Sequence, residues 1–197
     1  MRLSRLFTLA TLLVLLGGAR ASAGQLIQDP SFNLGPSNPY WKCSHTWMGS
    51  TKFTCTSGAD NVIENGQGHL MAEWMTEVPL AYRNHVHRLY QNFYIPSNVT
   101  SATLGFWLSS SAWEAPGLPN PDKMYVELYD LSTGSKLATF AVYDSWATQP
   151  FQWAYVTFPG LQAWKGKNVQ LMFRAVANTN EDPSWWFVDD VTVNTTP

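Results

Sequence analysis

Two groups of residues in this sequence have the types and spacing to do chemistry. The first is a pair of adjacent carboxylates, Asp189 and Asp190, inside the run Trp185-Trp186-Phe187-Val188-Asp189-Asp190-Val191-Thr192-Val193. Aromatic and β-branched residues suit a half-buried pleated surface, and two charges within such a run are out of place on propensity. They belong at a bulge or sheet edge, where they accept backbone N–H groups, or they hold a cation. The second group is tryptophan set beside polar side chains. Trp113-Glu114 has Asn120 and Asp122 nearby, and Trp74 has Glu73 beside it and Arg83 on the adjoining long connection. An aromatic face next to carboxylate, amide or guanidinium groups suits a sugar, which offers an apolar ring face and a rim of hydroxyls. Trp185 and Trp186 are neighbours on one strand and point to opposite faces. One is expected in the core and the other, taken as Trp185, outward toward ligand.

Other chemistries have thinner support. His85-Val86-His87 puts two imidazoles on one face of an extended segment, where Glu73 or His69 would have to complete a transition-metal site. Glu73, Glu77, Glu114 and Glu127 offer carboxylates for glycoside hydrolysis, but no motif selects two of them. No G-x-S-x-G, P-loop or H-E-x-x-H pattern is present. Asn98-Val99-Thr100 and Asn194-Thr195-Thr196 match the N-glycosylation acceptor pattern.

These residues must be positioned by strands. After Ala23 no long segment has helical period, and short apolar runs alternate with Gly, Pro, Asn, Asp and Ser. Strands are expected over 25–29, 51–56, 87–95, 102–108, 124–131, 137–143, 152–158 and 168–177, with the aspartate-bearing run last and the segments 40–43 and 69–74 each following a turn, for about nine to ten strands in all. Leu89, Gln91, Phe93 and Ile95 share one face, as do Val169, Leu171, Phe173 and Ala175. Residues 109–123 read as a long loop, and 124–131 with 137–143 as a hairpin. The expectation is an all-β fold of two stacked antiparallel sheets.

The N-terminus carries Arg2 and Arg5, an apolar stretch from Leu6 to Leu16, and Ala21-Ser22-Ala23 as a cleavage site. That is the form of a secretory signal peptide over residues 1–23, too short in its apolar part to span a bilayer, with one domain over 24–197. Removing Arg2, Arg5 and Arg20 leaves 9 Lys and Arg against 14 Asp and Glu. No basic stripe remains, which argues against nucleic acid as a partner. Cys43 and Cys55 read as one disulfide in an oxidising compartment. Charged residues make up 13% of the chain and aromatics 14%, with ten tryptophans. The charged share is about half the usual 25%, so rings either fill a large core or are presented outward.

The order of the pieces resembles carbohydrate-binding modules of the family 4/9/22 kind. Leu26-Ile27-Gln28-Asp29-Pro30-Ser31-Phe32-Asn33 is similar to their "N-G-G-F-E" opening, which a tryptophan, here Trp41, often follows. Gln91-x-Phe93 and Thr103-Leu104-Gly105-Phe106-Trp107 resemble two middle strands. Trp153-x-x-Val156 and Val169-x-Leu171-x-Phe173-x-Ala175 come next, and Phe187-Val188-Asp189-Asp190-Val191 resembles the closing "f-y-v-D-D-V". The resemblance implies a galactose-binding-domain-like jelly-roll sandwich. It also implies a structural Ca²⁺ between first and last strands, with Asp189 or Asp190 as ligand. Asn33 stands where the family has Glu, so it would bring an oxygen without charge. The function implied is a secreted, non-catalytic module binding polysaccharide or glycan through Trp113, Glu114, Trp74, Glu73, Arg83 and Trp185. The alternatives are an extracellular adhesion domain that docks another protein on the same rings and a glycan-cleaving enzyme.

Overall fold

The computed structural model describes residues 24–32, 34, 39–46, 70–72, 86–112, 117, 121–147, 152–176 and 184–197. Within them lie ten strands: β1 (Gly24–Gln25), β2 (Lys42–Thr46), β3 (Leu70–Ala72), β4 (Val86–Tyr94), β5 (Ser101–Ala112), β6 (Lys123–Asp130), β7 (Lys136–Asp144), β8 (Ala154–Pro159), β9 (Asn168–Val176) and β10 (Ser184–Thr196). A single 3₁₀ turn, Leu161–Trp164, joins β8 to β9. The strands form two antiparallel sheets. The first runs β1-β10-β5-β8, with β3 also on β10, and the second runs β2-β4-β9-β6-β7. The all-β, two-sheet sandwich expected from alternation is the observed fold. No helix among the described residues is long and apolar enough to cross a membrane.

The alternating residues meet between the sheets. Leu104, Phe106 and Leu108 of β5 and Trp186, Val188, Val191 and Val193 of β10 share one buried cluster with Leu89, Phe93, Val126, Leu128, Leu171 and Phe173 of the second sheet. Phe106 meets Phe173 edge-on across the gap, centroids 5.0 Å apart. Phe140 of β7 and Phe158 of β8 close the far side at 5.7 Å. Fully burying a side chain such as Phe106 or Leu171 contributes about 1.5–3 kcal/mol. Trp41 and Trp186 belong to this core, as expected of one member of the Trp185-Trp186 pair.

Two elements differ from the sequence expectation. The first strand stops at Gln25, because the chain then turns: Asp29 and Phe32 have φ of 49° and 52°. Residues 109–112, expected as the start of a loop, instead belong to β5. Ser109, Ser110 and Ser111 read as turn residues, yet all three are buried and pair with Phe187, Trp186 and Trp185. Small side chains there leave room beside bulky neighbours. The 124–131/137–143 hairpin is present as β6–β7. Its turn is tied by Asp130, whose carboxylate accepts the Ser132 N–H at 2.9 Å and whose carbonyl accepts the Gly134 N–H at 2.8 Å. The 51–56 strand and Cys55 lie outside the described residues. Cys43 pairs with Leu89 in the β2–β4 ladder.

The two ends of the domain meet as the resemblance implied. Leu26 N–H donates to Val193 O at 3.0 Å, and Val191 N–H to Pro30 O at 3.0 Å. Gln91, 2% exposed, closes the same seam from β4. Its Oε1 accepts the Gln28 N–H at 2.7 Å and its Nε2 donates to Gln28 O at 2.9 Å. A truncated Gln91 would leave two Gln28 backbone groups without these partners, which costs about 1–3 kcal/mol. Gln91→Ala is therefore expected to lower the urea unfolding midpoint by that free energy. An unchanged midpoint would show that the clasp contributes nothing.

Candidate functional site

Burying one face of each strand commits the alternate residues to the other face. In the second sheet the buried set is Leu89, Gln91, Phe93 on β4, Val169, Leu171, Phe173 on β9 and Val126, Leu128 on β6. The outward set follows from the same register. Lys42, Tyr90, Met172 and Glu127 lie in one row across β2, β4, β9 and β6, and Ser44, Arg88, Arg174 and Tyr125 in the next. Asn92, Gln170 and Tyr129 make a third row. This face carries half-buried rings among amides and charges, the composition expected of a surface that binds something polar with apolar faces.

Its centre is one carboxylate. Glu127 accepts from Arg174 through both oxygens, Nε at 2.8 Å and a terminal nitrogen at 2.9 Å. Tyr129 Oη donates to it at 2.9 Å and Lys136 Nζ lies 3.2 Å away. The Glu127 side chain is 0% exposed, Arg174 22% and Lys136 47%. Burial alone would raise the Glu127 pKa. The hydrogen bonds from Arg174, Tyr129 and Lys136 and the Arg174 charge outweigh it, bringing the carboxyl from 4.5 down to about 2. The bidentate fork holds the guanidinium in one plane, and Arg174 sits over the Tyr125 ring at 4.1 Å from its centroid. Burial and the Glu127 carboxylate raise the pKa of Tyr129. No motif in the sequence marks Tyr125 or Tyr129, and Glu127 stands there only as one of four carboxylates. The signal was available in Tyr125-x-Glu127-x-Tyr129, Arg88-x-Tyr90-x-Asn92 and Gln170-x-Met172-x-Arg174, each the complement of an apolar alternation.

Most of the residues singled out by tryptophan content are not among those described. Glu73, Trp74, Arg83, Trp113, Glu114 and Asn33 lie outside the described residues, as do His69, His85, Glu77 and Asn120. The Trp185 backbone pairs with Ser111 of β5. Ala72 and Ala112, the last described residues before the Trp74 and Trp113 segments, pair with Trp186 and Ser184 of β10. Asp122 is buried, and His87 pairs with His45 across β2–β4. On the first sheet the Trp107 and Tyr155 rings meet at 5.2 Å. Gly105 leaves room for the Tyr155 ring, which lies where a Cβ would stand.

The aspartate pair sits at a bulge, though not at a sheet edge. The β10–β5 register shifts between Asp189 and Thr192, and Asp190 has φ 47°. Asp189 is fully buried and its Oδ1 accepts the Asp190 N–H at 2.8 Å. Burial, opposed by that hydrogen bond and aided by the Asp190 charge, raises its pKa to about 7. The Asp190 carboxylate accepts from Ser31 Oγ, so the bulge is joined to the N-terminal turn. Carboxylate and hydroxyl oxygens are the donors Ca²⁺ takes. Among the described residues no three His, Cys, Asp or Glu side chains converge as a metal site.

No family model matches the chain, and no curated protein matches it. Solved structures do share the fold. TmCBM61, determined in complex with β-1,4-galactotriose, is 14% identical with a TM-score of 0.54, covering 88% of this chain and 100% of that one. The enzymatically active domain of tailspike protein 4 of bacteriophage CBA120 is 10% identical with a TM-score of 0.54, covering 87% of this chain and 21% of that one. The Stig cyclase Fisc from Fischerella sp. TAU is 15% identical with a TM-score of 0.50, covering 89% of this chain and 99% of that one. The chain therefore has the β-sandwich fold of a carbohydrate-binding module, a fold that enzymes also use.

Glu127 offers a direct test of this face. Its pKa lies below the ordinary 4.5. It therefore stabilises the fold above pH 4.5, and that contribution is lost as pH falls toward 2. Glu127→Gln is expected to cost about 2 kcal/mol at pH 7. That is less than the loss from a wholly buried pair because Arg174 and Lys136 reach water. The gap between variant and wild type in urea melts should close between pH 4.5 and 2. A gap of constant size would mean that the partners do not hold Glu127 ionised.

Proposed function

We propose that this chain is a secreted, non-catalytic glycan-binding protein that recognises its ligand on the outward face of the second sheet. The observation that carries the reading is the Arg174 guanidinium, clasped by Glu127 and seated on Tyr125. It is a rigid polar group fixed against an aromatic ring, with Tyr90 in the adjoining row. Rings that stack on a sugar's apolar face, with donors that meet its hydroxyls, are the recognition chemistry such an array supplies. The complex of TmCBM61 with a galactotriose supports a saccharide ligand on this fold.

Binding is favoured over cleavage by the state of Glu127. It is the one glutamate among the described residues, and a carboxyl held at about 2 by an arginine and a lysine is a poor general acid. Binding of sugar is favoured over docking of a protein by the mixed face. Charges, amides and tyrosines alternate there in place of a contiguous apolar patch. Secretion rests on residues 1–23. Trp113, Glu114, Trp74, Glu73, Arg83 and Trp185 remain part of the proposal as further contacts.

Tyr125→Ala and Tyr90→Ala are each expected to weaken binding in polysaccharide affinity electrophoresis about ten-fold, roughly 1.4 kcal/mol, without changing the melting temperature by more than a few degrees. Retention of full binding by both variants would move the site off this face, and failure to bind any glycan would end the proposal. The proposal also includes one structural Ca²⁺ at the bulge, with Asp190 and the Asp29–Phe32 turn as donors. Calcium should raise the melting temperature and a chelator should reverse it. Asp190→Ala should abolish the response.

A further inference from the structure

The charges on this face are lopsided. By register, the outward side of the second sheet carries five cations among the described residues, Lys42, Arg88, Lys123, Lys136 and Arg174, against two carboxylates, Glu127 and Asp144. The whole chain has a net charge of −2. The excess is therefore local, in a chain whose formal charge is negative as a whole.

The carboxylates do not reach all of it. Asp144 stands across from Lys123 at one end of the face. Glu127 is taken by Arg174 and Lys136. Arg88 is left. It lies directly opposite Arg174 in the β4–β9 ladder, and like charges in that relation destabilise a sheet. Glu127 approaches Arg174 from β6, on the far side from Arg88. Arg88 is half-buried and makes no hydrogen bond or ion pair among the described residues. A partly desolvated guanidinium without an acceptor is a cost that an anion removes. Its planar fork fits a carboxylate or sulfate through two parallel hydrogen bonds, which the neutral hydroxyls of a plain glycan cannot match.

We infer that the ligand of this face is an acidic glycan whose anionic group is held by Arg88, with Lys42 one row away adding attraction. This deepens the glycan-binding proposal and rests on it. Tyr90 stands two residues from Arg88 on the same side of β4, about 7 Å along the strand. The ring therefore meets the sugar while the guanidinium meets its substituent. The Arg174–Glu127 pair beside them is internally neutralised and supplies donors without competing for the anion.

The full mature chain would be run in affinity gels containing polygalacturonic acid (carboxylate), carrageenan (sulfate), unsubstituted β-1,4-galactan or unsubstituted xylan, at low salt and at about 0.3 M salt, where the Debye length shrinks to several ångströms. Retardation by an acidic polymer beyond that by either neutral one is expected, and it should weaken as salt rises. Which acidic polymer retards more identifies the group as carboxylate or sulfate. Arg88→Gln should lose about ten-fold in affinity for that polymer, and Arg88→Lys should retain part of it. Lys42→Gln, an exposed change that keeps the fold, should lose a smaller part. A melting temperature equal to wild type excludes misfolding of Arg88→Gln. Binding of neutral galactan or xylan as tight as that of the acidic polymers, and unaltered by Arg88→Gln, overturns this inference and leaves glycan binding standing. No binding to any of the four overturns both.

Discussion

Phe173 packing edge-on against Phe106 across the sandwich is the contact on which the rest of the molecule depends. A strand side chain that points into the core sends its neighbour out. Phe173 therefore fixes Arg174 on the outer face, and the unbroken β9–β6 register fixes Tyr125 beside it. The site has no machinery of its own for alignment. Its geometry is inherited from the burial of Leu171, Phe173, Val126 and Leu128, whose energy as a set far exceeds that of any ion pair at the surface. A one-residue slip in β9 would turn Arg174 inward and Phe173 outward together, so core and site stand or fall as a unit.

That dependence also explains what could be read from the sequence. Alternation in Leu89-x-Gln91-x-Phe93 and Val169-x-Leu171-x-Phe173 located the strands of the second sheet and their inner faces correctly. The same rows contained the outer face, but tryptophan was the more conspicuous residue and drew attention from tyrosine. Tyr125, Glu127 and Tyr129 become a cluster only once β9 brings Arg174 alongside, 47 residues further on. No local pattern encodes that pairing. The continuation of β5 from Ser109 to Ala112 was read as loop for a related reason. Ser109-Ser110-Ser111 has the composition of a turn, and only the bulk of Trp186 and Phe187 across the ladder makes small side chains the fitting choice.

The aspartate pair shows the opposite case, an oddity visible in sequence whose meaning is local. Asp189 and Asp190 mark the place where β10 takes one extra residue against β5, and Asp190 adopts a positive φ. Asp and Asn enter that region more readily than other side chains. The bulge turns Asp190 toward Ser31 and the N-terminal turn, and Val191 N–H toward Pro30 O, so the extra residue joins the chain's two ends. Gln25 and Gln91 work to the same purpose with neutral amides, Gln25 Oε1 accepting from Val193 N–H and Gln91 clasping Gln28. The bulge lies on the opposite sheet from the Glu127 cluster, and Gln91 reaches the seam from the inner face of β4, so the groups that close the domain are separate from those on the outward face of the second sheet.

That separation lets the outward face of the second sheet carry charge at little cost to the fold. Glu127 is bound by three partners, two of them cationic, and its ionised state is secure across the physiological range. It neutralises Arg174 where the guanidinium meets the Tyr125 ring, and the pair then acts as a rigid dipolar floor. Arg88, opposite Arg174 and outside the reach of Glu127, meets no carboxylate among the described residues. One carboxylate among several cations thus does two things: it organises the centre of the face, and by being fully engaged with Arg174, Tyr129 and Lys136 it leaves the charge of Arg88 uncompensated among the described residues. A second carboxylate within reach of Arg88 would have neutralised that guanidinium as Glu127 neutralises Arg174. Its absence among the described residues is the physical basis for expecting an anionic ligand.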